Sequence, residues 1–219
     1  MKTQIRTMLE MQEAMNAKVN PDWRAANYDW CRAVWIECAE LMDHHGWKWW
    51  KAQEPDLEQV KLELVDIFHF GLSDGLTYLN SLNDEGYTLE TLIDEIEGDY
   101  HSDFENLEPV PVLQSVEMLA AHVLTEGTFN FEDFFGIMRS VNMSFEELYK
   151  GYVGKNVLNF FRQDNGYKEG TYQKIWDGEE DNVHLVRMMD ELDSSALDFK
   201  DRLYSALNNR YAQVTMQVI

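Results

Sequence analysis

Apolar residues recur every three to four positions over most of this chain. Ile5, Met8, Leu9, Met11, Met15 and Val19 keep that period, which predicts an amphipathic first helix over 4–18, closed by Asn20-Pro21. Neither Gly nor Pro occurs from Ala25 to His45, so a long second helix is predicted there, stopping at Gly46. Pro55-Asp56 opens a third, with Asp56 as N-cap and Gln59 at the capping-box position, and it runs to about Asn80 through Gly71 and Gly75. From 81 to 145 an acidic segment is broken by Gly86, Gly98, Pro109, Pro111, Gly127 and Gly136. It reads as shorter helices forming a mobile insertion. A helix over 145–163 ends at Asn165-Gly166, a polar stretch rich in Gly and Tyr reaches Gly178, and a final helix covers 181–207. No period-two alternation lasts long enough for a sheet, and no internal repeat is visible. The expected class is all-α: one domain over 1–219, a helical bundle around two antiparallel carboxylate-bearing helices, with 81–145 inserted.

Composition narrows what such a bundle does. The chain has 219 residues, enough to bury a sizeable core, with 45% hydrophobic and 13% aromatic residues, too apolar for a disordered acidic tail. Its 18 Lys+Arg face 40 Asp+Glu, a formal charge of −22. That balance opposes contact with nucleic-acid phosphates, so no nucleic-acid partner is expected, and phosphate chemistry here needs metal ions or a local basic patch. Apolar runs are too short to cross a bilayer and no apolar signal core follows the N-terminus, so no membrane partner and a cytoplasmic location are expected. Cys31 and Cys38 lie about 10 Å apart along one predicted helix, too far to bridge.

Four carboxylates stand out by context. Glu37 and Glu40 are the only charges in residues 33–42, and Glu63 and Asp66 are the only ones in residues 62–70. Each pair, spaced i,i+3, shares a helix face. Such pairs are common in so acidic a chain, and two partly exposed acidic helices are the plain alternative. Carboxylates in apolar surroundings persist when they are paired with cations or metal, and two antiparallel helices can bring all four together around hard divalent ions such as Mg²⁺ or Mn²⁺.

A second stripe consists of Lys155, Asn159 and Arg162, at i, i+4 and i+7 of the helix ending at Asn165-Gly166. It reads either as a phosphate clamp or as an ordinary solvated face. Gln12 and Asn16 place two amides on one face of the first helix, and amides read nucleobase edges. Trp47, Trp49 and Trp50 crowd one segment with Lys48 and Lys51, a core plug or a stacking platform. His69, flanked by Phe68 and Phe70, reads as a packed histidine rather than a ligand.

Taken together, these motifs resemble the all-α nucleoside triphosphate pyrophosphohydrolases. Glu37-x-x-Glu40 followed by Glu63-x-x-Asp66 is similar to their paired signature. Met11-Gln-Glu-Ala-Met-Asn16, Gly46-Trp-Lys-Trp-Trp-Lys51 and the long segment from Gly154 to Tyr172 narrow the resemblance to the dimeric dUTPases. It covers roughly 5–80 and 145–190. The resemblance implies a homodimer that hydrolyses dUTP to dUMP, using two or three Mg²⁺ ions for which Mn²⁺ substitutes. It implies attack at the β-phosphorus, and hence use of dUDP. Glu37, Glu40, Glu63 and Asp66 would hold the ions, with Glu37 also activating the attacking water. Gln12 and Asn16 would contact uracil between Trp49 and Phe70, and Lys155, Asn159, Arg162, Tyr167 and Lys168 would engage sugar and phosphates. Two alternatives stay open. One is a phage-type dCTP/dUTP pyrophosphatase, since a flipped amide on Gln12 or Asn16 serves either base. The other is an acidic helical protein that mimics DNA or sequesters a basic partner.

Overall fold

The computed structural model describes residues 1–81, 86–104, 110–193, 196 and 198–216. Among them the regular secondary structure is helical apart from one short hairpin. The helices are α1 (Lys2–Val19), α2 (Trp30–His45), α3 (Leu57–Ser81), α4 (Leu89–Phe104), α5 (Val112–Glu126), α6 (Phe131–Ser140), α7 (Phe145–Asp164), α8 (Asp181–Glu191) and α9 (Phe199–Met216). Strands β1 (Ile175–Trp176) and β2 (Glu179–Glu180) pair antiparallel. Two compact units result, residues 1–149 and 150–219.

In the first unit α2 packs on α3 and α5, α1 on α3 and α4, and α6 on α4 and α5. The register of α2 and α3 is antiparallel. His44 meets Glu63, while Trp30, near the other end of α2, stacks on Phe70 and donates its indole N–H to Thr77 Oγ1. The α3 start follows its sequence signal, because Asp56 Oδ1 accepts the Gln59 N–H at 3.2 Å. Gly71 has a packing role: a Cβ there would sit 2.6 Å from the Phe129 ring, so the absent side chain lets that ring lie on the helix. Phe68, Phe134 and Phe135 form the aromatic core beside it, all without exposed surface.

Three local expectations are corrected. Helix α2 starts at Trp30, not Ala25, because residues 21–27 form turns with Asn27 at φ +50° and Asp29 caps the helix by accepting the Arg32 N–H. Gly98 and Gly136 lie inside α4 and α6 instead of breaking them; Pro109 lies outside the described residues. The final helix over 181–207 is two helices. Helix α8 ends where Leu192 turns extended and α9 begins at Phe199, while 194, 195 and 197 lie outside the described residues.

In the second unit Phe161 of α7 is ringed by Tyr172, Trp176, Tyr204 and Tyr211. Asp177 and Gly178, both at positive φ, make the two-residue turn of the hairpin, a combination whose twist suits paired strands. The hairpin delivers the chain to Asp181, the first residue of α8, whose N–H donates to the Lys174 carbonyl.

Candidate active site

The antiparallel register of α2 and α3 brings their acidic positions opposite one another. Carboxylate oxygens of Glu37, Glu63 and Asp66 all lie within 4.8 Å of each other. Glu63 is 8% exposed, and Glu37 and Asp66 are half-buried. Glu40, on the same helix as Glu37, is exposed and stands outside that group of three. Burial first, and then the charges of Asp66, Glu63 and Glu40, push the Glu37 carboxyl up to about 8. The His44 imidazole stands beside the group, its Nε2 3.3 Å from Glu63 Oε1. Mutual repulsion in a donor set made only of oxygens is the arrangement a hard divalent cation relieves, so the residues fit such an ion.

The sign of the electrostatics gives a testable outcome. A carboxyl whose folded pKa lies above its unfolded value keeps its proton longer when folded. Stability is therefore lost as pH rises from 4.5 towards about 8. In EDTA the melting temperature should fall across that window. Saturating Mg²⁺ should remove most of the fall, because an ion that binds only the folded arrangement stabilises it. A melting temperature that is flat in EDTA over this range would count against a repelling cluster.

Gln12 and Asn16 of α1 are 4% and 7% exposed and bonded to each other, with Gln12 Nε2 donating to Asn16 Oδ1 at 2.9 Å. They also meet two α3 side chains that sequence reasoning did not assign to a site, His69 and Ser73. Phe70 is half-buried and stacks on Trp30. Trp30 also lines a cavity of about 430 Å³ at the start of α2, together with Tyr28, Arg32, Trp35, Asp74 and Leu124. Trp49 is 90% exposed and touches Trp50 edge-on. Among the described residues the structure shows no ring contact between Trp49 and Phe70. Burial pushes Cys31 and Cys38 up to about 11 and about 12, so neither is a nucleophile near neutral pH.

The polar stripe on α7 is not a solvated face. Lys155 and Arg162 are 4% and 9% exposed. Arg162 grips Asp181 with two bonds of 2.8 and 2.7 Å, from Nε to Oδ2 and from Nη2 to Oδ1. Nη1 of Arg162 donates to Asn159 Oδ1, Lys155 donates to Asn182 Oδ1, and Tyr172 donates its hydroxyl to Asp181 Oδ2. Burial alone would raise the Asp181 carboxyl, but Arg162 and the Tyr172 hydroxyl hold it below the usual carboxylate range. Tyr167 and Lys168 are exposed, with the Arg162 guanidinium 5.9 Å from the Tyr167 ring centre. Asp181, absent from the sequence reading, is the residue that organises this stripe.

Among the described residues no helix is long and apolar enough to cross a membrane. Residues 4–167 match the sequence model of a protein family described as dUTPase. That stretch contains both carboxylate pairs, the α1 amides and the α7 stripe through Tyr167; Lys168 lies just beyond it. No curated protein matches the chain.

Proposed function

This chain belongs to the dUTPase family, and on that footing we propose how its residues divide the work of hydrolysing dUTP. The enzyme converts dUTP, and dUDP as well, to dUMP in a Mg²⁺-dependent reaction, lowering the dUTP pool and supplying dUMP for thymidylate synthesis. The observation that carries this reading is the meeting of Glu37, Glu63 and Asp66 between two antiparallel helices. When bound there, Mg²⁺ supplies charge neutralisation for the phosphate oxygens, without which a chain of charge −22 repels a polyanion.

Glu37, Glu63 and Asp66 hold the ion or ions, and Glu40 joins from the exposed side of α2. Glu37 also takes the proton of the attacking water, a general-base role open to a carboxylate that stands at the ion site. Gln12 and Asn16 read the base and Phe70 packs against it, with Trp49 as a further aromatic contact. Lys155, Asn159, Arg162, Tyr167 and Lys168 serve sugar and phosphate. Water adds to one phosphorus as a phosphoanhydride bond breaks, so dUTP yields dUMP, pyrophosphate and a proton.

The enzyme works in the cytoplasm as a homodimer. Supporting the dimer, Trp35 and Ile36 of α2 and Met118 and Leu124 of α5 stay between 38% and 64% exposed, an apolar share that a second copy can cover. Light scattering should give twice the 25.7 kDa chain mass; a monomer at micromolar concentration would contradict it. The activity is tested by incubating the purified protein with Mg²⁺ and each deoxynucleoside triphosphate, and with dUDP, while detecting pyrophosphate and phosphate. dUTP and dUDP should both be consumed and EDTA should stop both reactions. Turnover of none would overturn the proposal and favour a sequestering protein.

A further inference from the structure

Four buried side chains on α1 and α3 form a hydrogen-bond circuit whose donor count settles an orientation that the two amides leave open. Ser73 has no exposed surface and donates its hydroxyl proton to the His69 carbonyl one turn earlier, at 3.0 Å. Its oxygen then acts as an acceptor, receiving an N–H from Gln12 at 2.9 Å and one from Asn16 at 3.0 Å. The other Gln12 amide hydrogen goes to Asn16 Oδ1 at 2.9 Å. The Gln12 carbonyl oxygen lies 2.7 Å from His69 Nδ1, a bond that requires the proton to sit on Nδ1.

Reversing both amides spoils this count. The carbonyl oxygens of Gln12 and Asn16 would then face Ser73 Oγ, which has a single proton for them and for the His69 carbonyl. Two of the three bonds at Ser73 are lost, and His69 Nδ1 must surrender its proton to face the Gln12 NH₂. The longer 3.4 Å approach of Ser73 Oγ to Asn16 Oδ1 becomes an N–H donation to Ser73 after reversal, but at that length it replaces one of the two lost bonds only weakly. Hydrogen bonds lost in a buried site are not replaced by water, so the reversed arrangement is strongly disfavoured.

Uracil offers a donor at N3 beside the carbonyl at position 4, whereas cytosine offers an acceptor at N3 beside an amino group. An amide free to reverse serves both bases; a fixed one serves one. We propose that Ser73, acting together with His69, sets the pyrimidine choice of this enzyme by holding Gln12 and Asn16 in a single amide orientation, so that they answer one pattern of base donors and acceptors and not its reverse. The proposal rests on the assignment of Gln12 and Asn16 to the base. Ser73 and His69 are positioning residues, acting through the amides.

Ser73→Ala tests it, because without the hydroxyl both orientations make the same number of bonds inside the chain. The wild type should favour dUTP over dCTP in kcat/KM by at least about 100-fold, and Ser73→Ala should reduce that ratio by at least about tenfold. Nitrogen NMR of the nucleotide-free wild type should find His69 protonated at Nδ1, and Ser73→Ala should show a mixture of tautomers. A ratio unchanged in Ser73→Ala while Gln12→Ala and Asn16→Ala do change it overturns the role of Ser73 and leaves the base assignment standing. A ratio unchanged in all three variants overturns the base assignment as well. Wild-type His69 protonated only at Nε2 overturns the proposal without needing any variant to fold.

Discussion

Glu37→Gln should cut kcat by at least about 10²- to 10⁴-fold, the range that loss of a general base commands, while leaving nucleotide binding measurable. The same change should raise the melting temperature of the metal-free protein near pH 8, because it removes a carboxyl that burial and Asp66, Glu63 and Glu40 make reluctant to ionise. Its loss should also flatten the decline of stability between pH 4.5 and about 8. Steady-state kinetics, nucleotide titration and melting in EDTA on one protein preparation read all three. Near wild-type kcat would remove Glu37 from catalysis. A melting temperature lowered in EDTA would instead show that Glu37 is stabilised where it stands.

How far the sequence revealed this site depends on distance along the chain. Glu37 and Glu63 announce themselves because each sits in an apolar helical stretch, and local spacing says which face they share. Asp56 was legible as an N-cap for the same reason, since the cap and its Gln59 partner are neighbours in sequence. Ser73 and His69 were not legible as partners of Gln12 and Asn16. Their partners Gln12 and Asn16 lie 57 or 61 residues away, and a serine inside an apolar helix carries no local sign of what its hydroxyl meets. Asp181 escaped likewise: it lies 19 residues from Arg162, across a hairpin whose Asp177-Gly178 turn was a signal available to be read. The α2 boundary failed for a different reason. Absence of Gly and Pro permits a helix but does not start one, whereas Asp29 does.

Arg162→Ala should destabilise residues 150–219 by about 3–5 kcal/mol, the usual cost of leaving one member of a buried ion pair without its counterion. Asp181 is fully buried and Arg162 nearly so, and no water can take over the two vacated bonds cheaply. Arg162→Lys should recover part of the loss, since an ammonium cannot reproduce the forked contact. The double variant Arg162→Ala/Asp181→Ala should lose less than the sum of its parts. Urea denaturation of these variants decides between two roles for the arginine. Full stability with a depressed kcat/KM would mean that its energy is spent on substrate phosphate rather than on Asp181. The pair should also weaken in acid. A carboxyl held below its ordinary pKa contributes stability above that value, which is lost as pH falls through the folded pKa.

The tryptophan-bearing segment after α2 is tied at its root rather than at its tip. The Asp56 N–H donates to the His44 carbonyl at 2.9 Å, Gly46 turns the chain at φ +90°, and the Lys48 N–H donates to Gln53 Oε1. Closing a loop costs chain entropy chiefly because its ends must be brought together, and here folding has already met that cost before any ligand arrives. What remains to be ordered at Trp49 is a stiff indole with two rotatable bonds, on a backbone already held in place. A planar molecule that lands on that ring therefore gives up little of its contact energy to immobilising protein, so the most exposed aromatic side chain among the described residues is also an inexpensive one to recruit.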